Sequence, residues 1–201
     1  MRMSVCEIGL PRTGTRSLAK AMTTLGFKTQ HGTLGLADDV RVSLCHKLMF
    51  GQTDLSLYDD CDFVGDLPRV HWRELADEHP KLKFILTTRN IDLWWHSCWK
   101  RWKNTRRHKS KMFATEGITP DIVPAVLSMV RTIGCYGLDE EVWRRGYHNH
   151  NTNVSRWFYH SPRFLILDVD DDDKWEKLCD FLEIENIPTE LYPHVRKNSD
   201  K

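Results

Sequence analysis

Several features that would assign this chain of 201 residues to a special class of protein are missing. No apolar run approaches the roughly 20 residues of a membrane-spanning helix, so we expect no membrane partner. The six cysteines are scattered and form no Cys-x-x-Cys pair, which argues against a zinc or disulfide framework and predicts reduced thiols in a cytoplasmic protein. The formal net charge is only +1, so no global field selects a nucleic-acid partner.

The chain also lacks internal repeats and Gly/Ser-rich linkers. A single domain over residues 1–201 is therefore predicted, because this length suffices for one sizeable core. Residues 190–201 are interpreted as a flexible tail or as a segment that covers a cofactor. Since the first strand begins almost at Met1, we expect no secretory signal.

Strand and helix patterns alternate along the chain. Strand-like runs occur at Met3–Leu10, Leu82–Thr88 and Arg163–Val169, with weaker ones at Phe27–His31 and Asp62–Val64. Helical patterns lie at Ser17–Leu25, Ala37–Met49, Val70–Glu78, Ile91–Arg106, Pro120–Ile133, Glu140–His160 and Lys174–Glu183. The alternation predicts an α/β fold, a P-loop-like three-layer domain whose mostly parallel central sheet is flanked by helices. Ligands of such sheets bind beyond the carboxyl ends of the strands.

The segment Gly9-Leu10-Pro11-Arg12-Thr13-Gly14-Thr15-Arg16-Ser17 joins the first strand to the first helix. Its two glycines allow a tight turn in which backbone N–H groups converge on an anion at the helix N-terminus. The Gly-x-x-x-x-Gly spacing matches a P-loop, but the Gly-Lys-Ser/Thr ending is missing, because Thr15 and Arg16 follow Gly14. The segment therefore predicts a cradle for a phosphate-like group and argues against Mg-ATP as its ligand.

A second anion-binding position is predicted at the end of the third strong strand pattern. Arg89 follows that strand directly, and Ser97 lies eight positions later on the next helix. An arginine at a strand end and a hydroxyl on the following helix can close around a second phosphate. Taken alone, Arg89 is equally compatible with a surface salt bridge.

These motifs together resemble the sulfotransferase superfamily that uses 3′-phosphoadenosine 5′-phosphosulfate (PAPS), and its short soluble branch in particular. Pro11–Thr15 resembles the family's Pro-Lys-Ser-Gly-Thr loop, and Arg89 and Ser97 match its 3′-phosphate pair. The stretch from Phe164 to Leu182 resembles the family's late strand and helix. The resemblance implies that Arg89 and Ser97 bind the 3′-phosphate, and that the 5′-phosphosulfate is bound by Arg12, Thr13, Gly14, Thr15, Arg16 and Ser17.

The chain departs from the family pattern in three ways. Arg12 replaces the loop lysine, and the resemblance implies a catalytic role in which its charge stabilises the leaving phosphate. The tryptophan that stacks on adenine in many members is absent, so the residue that covers adenine stays open. Arg196 and Lys197 are similar to a basic Arg-Lys-Gly segment that helps to hold the 3′-phosphate, although the glycine is missing and a solvated tail is the alternative.

A catalytic base is implied by the segment Gly65-Asp66-Leu67-Pro68. Many cytosolic members carry a histidine base in a Thr-His-Leu-Pro segment, and alignment on Leu-Pro puts Asp66 at the position of that histidine. Partial burial is expected to raise the pKa of Asp66 toward the range of an effective general base. Two alternatives stay open: Asp66 caps a turn before Pro68, or His71 is the base.

Other motifs carry weaker functional signals. His148 and His150 point apart on a helix, and the Asp170–Asp173 run lacks the glycine and the glutamate of an EF-hand loop, so no metal site is predicted. The basic stretch Lys100–Lys111 follows a tryptophan cluster. It is compatible with a solvated helix end, with attraction of PAPS or an anionic acceptor, or with nucleic-acid binding.

One functional prediction follows from the residues and the resemblance together. The chain is predicted to be a metal-independent sulfotransferase that moves a sulfuryl group from PAPS to a hydroxyl or amine and releases 3′,5′-adenosine bisphosphate (PAP). The acceptor is expected to be a small molecule or a carbohydrate, and nothing in the sequence dictates which one. An ATP-dependent small-molecule kinase and a non-catalytic nucleotide- or RNA-binding module are the alternatives.

Overall fold

The computed structural model describes residues 2–32, 60–112, 129–134 and 138–195, together with residues 37, 39, 40, 43 and 47. For residues 102–112 the description is of the backbone alone. The helices predicted at Ala37–Met49 and Pro120–Ile133 therefore lie largely outside the described residues, although residues 129–133 are helical.

The regular elements follow the predicted pattern with shifted ends. The strands are β1 Val5–Glu7, β2 Thr29–His31, β3 Phe63–Gly65, β4 Lys83–Thr88 and β5 Phe164–Asp168. The helices whose bounds the structure describes are α1 Thr15–Thr24, α2 Trp72–Glu78, α3 Ile91–Met112, α4 Glu140–Trp157 and α5 Lys174–Leu182. The helix predicted from Val70 is split into a 3₁₀ turn, Pro68–Val70, and α2, because His71 leaves the helical region at φ −127°. In the described part of the chain, no helix is both long enough and apolar enough to cross a membrane.

The described strands form one parallel sheet in the order β2-β3-β1-β4-β5. In the central strand, Val5 pairs with Phe63 of β3 on one side and with Lys83 of β4 on the other. The chain leaves β1 toward β2 and leaves β4 toward β5, in opposite directions along the sheet. A crevice therefore opens between the carboxyl ends of β1 and β4, where ligands of open α/β sheets bind.

Helices cover both faces of the sheet, which confirms the predicted three-layer α/β fold. Val5 and Ile85 face the layer of α1 and α5, whereas Cys6 and Phe84 face the layer of α2 and α4. These four side chains are at most 1% exposed. Burial of a side chain such as Ile85 or Phe84 stabilises the fold by about 2–3 kcal/mol. The paired layers hold the strand ends, and hence the loops that follow them, in fixed positions.

Candidate active site

The glycine loop after β1 closes over the N-terminus of α1. Gly14 directly precedes the helix with φ 93°, a conformation that glycine tolerates readily, and a Cβ there would lie 2.9 Å from Val169 Cγ2. Arg12 adopts φ 76°, which is uncommon for a residue with a Cβ and marks a constrained backbone within the loop. The tight turn predicted from the glycine spacing is therefore confirmed.

Gly9 leaves no room for a side chain. A Cβ at this position would lie 2.2 Å from Thr87 Oγ1 and 2.6 Å from the Thr87 carbonyl oxygen. We expect Gly9→Ala to lower the free energy of unfolding by about 3 kcal/mol, because overpacking displaces β4. Urea denaturation measures this change. Gly26→Ala is the matched control: its Cβ would meet nothing within 4 Å at φ 88°, so only about 1–2 kcal/mol of backbone strain is expected. Equal losses in the two variants would contradict the steric explanation.

The loop hydroxyls serve different contacts. Thr13 is buried, and its Oγ1 donates to the Leu10 carbonyl at 2.6 Å while lying 2.6 Å from Thr87 Oγ1. Ser17 Oγ accepts a hydrogen bond from the Val195 N–H at 3.1 Å. The side chain of Thr13 thus shapes the loop, and Ser17 connects α1 to the C-terminal segment. The assignment of both residues to donor binding stays a prediction.

The two predicted anion positions meet in one cluster between β1 and β4. Arg12 Nε donates to Ser97 Oγ at 2.9 Å, and Arg89 Nη1 lies 3.5 Å from the Arg12 carbonyl oxygen. The Arg89 N–H donates to the Tyr147 hydroxyl at 2.9 Å, and the Trp94 Nε1–H donates to the carbonyl of the residue before Arg12. Helices α3 and α4 therefore hold the loop and the arginine together. Arg89 Nε is buried and has no hydrogen-bond partner in the described part of the chain.

Positive charge accumulates around this cluster. Burial lowers the pKa of Arg12, and the guanidinium groups of Arg101, Arg89 and Arg16 lower it further. Within the described residues, Arg12, Arg16 and Arg89 form no salt bridge, so the surface-ion-pair alternative for Arg89 is not realised there. Clustered guanidinium groups of this kind are stabilised by a bound anion. The cluster also brings in Arg101 from the basic stretch, a residue that sequence reasoning did not single out.

Asp66 lies directly after β3, at the same edge of the sheet as the loop. Its φ is 77°, and its carboxylate forms an ion pair with Arg69, whose side chain is 1% exposed. Burial opposes ionisation of Asp66, but the charge and hydrogen bond of Arg69 outweigh it and hold the pKa of Asp66 below its usual range. The predicted rise in this pKa is therefore wrong, because the buried Arg69 was not recognised as a partner. Among the described residues, no side chain caps the following 3₁₀ turn, which begins after Leu67, so the turn-capping alternative for Asp66 is not seen there.

His31, the last residue of β2, was missed by sequence reasoning. Its Nε2 lies 2.9 Å from Thr15 Oγ1 in the first turn of α1. Burial lowers the pKa of His31, with Asp66 acting in the opposite direction, so the imidazole is neutral at pH 7 and available for hydrogen bonding. β2 pairs with β3, so His31 comes beside Asp66. That strand order could not be derived from the spacing of residues in the chain.

The alternative base, His71, is buried where α2 begins. Neither of its ring nitrogens has a hydrogen-bond partner among the residues that the structure describes, and burial lowers its pKa. It therefore makes no hydrogen bond to Asp66, His31 or the loop. Arg196 and Lys197 lie outside the described residues, and their predicted contact with the 3′-phosphate stays a prediction.

A second missed residue is Glu7, which is fully buried at the end of β1. Its Oε1 accepts a hydrogen bond from the Gly9 N–H at 2.6 Å and lies 3.0 Å from Thr87 Oγ1. Its Oε2 accepts from the Asp66 N–H at 2.9 Å. Burial raises the pKa of Glu7 to about 7. One carboxyl group thus joins the glycine loop, the turn after β3 and the end of β4.

A cavity of about 290 Å³ lies beside the loop, on the side of α1 and β5. One wall is the C-terminal segment Leu191–His194, which is anchored where Trp175 Nε1 donates to the Glu190 carbonyl at 2.8 Å. The Tyr192 hydroxyl is buried without a hydrogen-bond partner in the described part of the chain. The Tyr192 ring packs against Trp175 with centroids 5.0 Å apart. A cavity of this size and position suits a nucleoside-sized group next to the cluster of Arg12, Arg89 and Ser97.

The histidine pair of α4 is divided between the core and the surface. His150 is buried, its Nε2 lies 2.7 Å from the Ile8 carbonyl oxygen, and burial lowers its pKa to about 4. This neutral ring donates a hydrogen bond that ties α4 to the end of β1, while His148 is exposed. Over the described ranges, no group of three or more His, Cys, Asp or Glu side chains is placed to hold a metal ion.

Comparisons with known proteins agree with this geometry. The family described as "Sulfotransferase domain" matches residues 4–200. The curated protein "Ava biosynthesis cluster protein M" of Aspergillus versicolor is 26% identical over 226 residues, which cover 96% of this chain and 80% of that protein. The crystal structure of a sulfotransferase from Alicyclobacillus acidocaldarius shares the fold, with a TM-score of 0.56 and 13% sequence identity. That match covers 100% of this chain and 88% of the other chain.

Proposed function

Because this chain belongs to the sulfotransferase family, we propose that it transfers a sulfuryl group from PAPS to a hydroxyl or amine and releases PAP. The proposed acceptor is a small molecule or a carbohydrate. The proposed location is the cytoplasm, because Cys6, Cys61, Cys98 and Cys179 are free, buried thiols.

The observation that carries this proposal is the convergence of Arg12, Arg89 and Ser97 beside the N-terminus of α1. PAPS presents two phosphate groups separated by a ribose, which suits a loop that binds one anion next to a cluster that binds another. The buried Arg89 Nε has no partner among the described residues, and a phosphate oxygen would satisfy it. The loop therefore fits the 5′-phosphosulfate of the donor, and the cluster of Arg12, Arg89 and Ser97 fits its 3′-phosphate.

The cavity beside the loop fits the rest of the donor. Tyr192 and His194 line its outer wall, and Leu18 lines its inner wall. An adenine ring in this position would contact the Tyr192 side, where the phenolic hydroxyl is buried without a partner among the described residues. The C-terminal segment then covers the adenosine, which supplies the contact that the missing tryptophan provides in other members.

The loop and Arg12 stabilise the charge that develops during sulfuryl transfer. PAPS supplies an activated sulfuryl group when it is bound. The N–H groups at the start of α1 and the Arg12 guanidinium stabilise the negative charge that develops on the leaving phosphate. Since an arginine does not release a proton at neutral pH, Arg12 acts through its charge and its forked donors alone.

The acceptor is proposed to bind on the opposite side of the loop, near Asp66 and His31. Asp66 is ionised at neutral pH, so it is ready to take the proton of the attacking hydroxyl or amine. Its low pKa makes it a weak base. A weak base suffices if the transition state is loose, as in phosphoryl transfer, because the acceptor then needs little activation before it attacks. The buried guanidinium of Arg69 holds the carboxylate in place through this ion pair.

Calorimetric titration with PAP in metal-free buffer tests this proposal, with Mg-ATP as the competing ligand. We expect PAP to bind in the micromolar range or tighter and Mg-ATP to bind at least about tenfold more weakly, because the Gly-Lys-Ser/Thr ending is absent. Preference for Mg-ATP would support a kinase instead. Weak binding of both ligands, together with steeply salt-dependent binding of RNA, would support a nucleic-acid-binding module.

A further inference from the structure

Three successive oxygen–oxygen contacts connect Glu7 to the glycine loop. Glu7 Oε1 lies 3.0 Å from Thr87 Oγ1, Thr87 Oγ1 lies 2.6 Å from Thr13 Oγ1, and Thr13 Oγ1 lies 2.6 Å from the Leu10 carbonyl oxygen. Glu7, Thr13 and Thr87 are at most 2% exposed. Bulk water therefore does not supply hydrogens to this chain of contacts.

The number of hydrogens identifies the protonation state of Glu7. The Leu10 carbonyl can only accept, so the single hydroxyl hydrogen of Thr13 is used there. The hydrogen between the two threonines must then come from Thr87. The contact between Thr87 and Glu7 is left without a hydroxyl hydrogen, and only the carboxyl group can supply one. With an ionised Glu7, one of the three contacts would place two oxygens together with no hydrogen between them.

We propose that Glu7 is a positioning residue that carries a proton in the folded protein and donates it to Thr87 Oγ1. The same carboxyl group accepts the N–H groups of Gly9 and Asp66, so it sets the glycine loop relative to the candidate base. Because Glu7 is neutral, it does so without placing negative charge beneath an anion cradle. This proton assignment stands on the contacts alone, and only its coupling to donor binding rests on the proposed function.

The groups around Glu7 agree with a neutral carboxyl. Burial raises its pKa to about 7 and the Asp66 carboxylate raises it as well, whereas the Asp66 N–H and the charge of Arg69 act in the opposite direction. The Cys6 thiol on the same strand is kept neutral by burial. His31 of β2 and His150 of α4 face this region. Burial lowers the pKa of each imidazole, so both are uncharged at pH 7.

Two pH effects follow from this arrangement. The folded-state pKa of about 7 lies above the 4.5 of an unperturbed glutamate, so Glu7 stabilises the fold fully below pH 4.5. This contribution is lost as the pH rises through 7. A bound bisphosphate places further negative charge near Glu7 and raises its pKa again. Donor binding above pH 7 is therefore accompanied by uptake of a proton from the buffer onto Glu7.

Infrared spectroscopy of the ligand-free protein tests the proton assignment. We expect a carboxylic-acid C=O band in the wild-type protein that persists at pH 6 and disappears with a midpoint near pH 7. The band should be absent in Glu7→Gln. It should remain in the control Glu176→Gln, which changes a residue on the exposed face of α5. Absence of such a band at pH 6 in the wild-type protein would overturn the proposal. If Glu7→Gln does not fold, Thr87→Val can assign the band to Glu7. Loss of the Thr87 oxygen removes the hydrogen bond from the Glu7 carboxyl group, so the band must shift. An unshifted band in Thr87→Val would also overturn it.

Calorimetry in two buffers of different ionisation enthalpy tests the coupling to the donor. At pH 8 we expect the wild-type protein to take up a measurable fraction of a proton on binding PAP, and Glu7→Gln to take up none. The PAP phosphates are fully ionised at this pH, since their last pKa lies near 6. From pH 7 to 8.5 we expect the wild-type affinity to fall by up to about tenfold and the Glu7→Gln affinity to stay constant.

If PAP does not bind while the infrared band titrates near 7, the proposed donor is wrong and the proton assignment stands. If PAP binds without proton uptake, the coupling is wrong.

Discussion

Asp66→Asn is expected to lower the turnover number at least about 100-fold while leaving the Kd for PAP within about threefold. Asparagine has nearly the same shape and tolerates the positive φ of this position, so the backbone is retained. It cannot accept a proton from the acceptor. The substitution does not alter the arginine cluster formed by Arg12 and Arg89, so we expect donor binding to be preserved. Transfer from radiolabelled PAPS to an acceptor identified by screening hydroxyl and amine compounds measures the rate.

The control for this prediction is Asp77→Asn, which removes an exposed carboxylate from α2. Thermal unfolding of both variants separates lost chemistry from lost stability, since Asp66→Asn also removes the carboxylate that pairs with Arg69. A rate in Asp66→Asn above about a tenth of the wild-type value would remove Asp66 from the role of base. If that rate is retained and His31→Gln is inactive with normal PAP affinity, the role belongs to His31.

Arg89→Ala is expected to weaken PAP binding at least about 100-fold, which corresponds to about 3 kcal/mol. The guanidinium lies beside the Arg12 carbonyl, and its Nε is buried without a partner among the described residues. Removal of this group deletes charge-assisted hydrogen bonds to a phosphate and leaves that phosphate partly desolvated. Calorimetric titration with PAP measures the loss directly and does not require a known acceptor.

Two further variants calibrate this result. Arg89→Lys keeps the charge but loses the forked donors, so an intermediate loss of about tenfold is expected. Arg145→Ala removes an exposed arginine of α4, whose guanidinium lies 3.7 Å from Glu141, and its PAP affinity should equal that of the wild type. An Arg89→Ala variant that binds PAP as tightly as Arg145→Ala would show that the arginine cluster is not the 3′-phosphate site.

Local features of this protein were determined by the sequence itself. The alternation of apolar runs and helical patterns predicted the strands, because side-chain periodicity is a property of neighbouring residues. The glycine spacing predicted the turn before α1, since positive φ at Gly14 depends on the residue type at that position. Arg89 could be placed at a strand end by counting residues. These predictions depend on interactions within a few positions of the chain.

The chemistry of the site was decided by the tertiary structure. Arg12 and Ser97 are 85 positions apart and share a hydrogen bond, and the strand order brings His31 beside Asp66. The pKa of Asp66 falls where burial alone predicts a rise, because Arg69 is buried with it. The proton on Glu7 follows from contacts between three separate segments. Protonation and charge depend on which groups meet and on how much water is excluded around them, and the chain acquires both properties only when it folds.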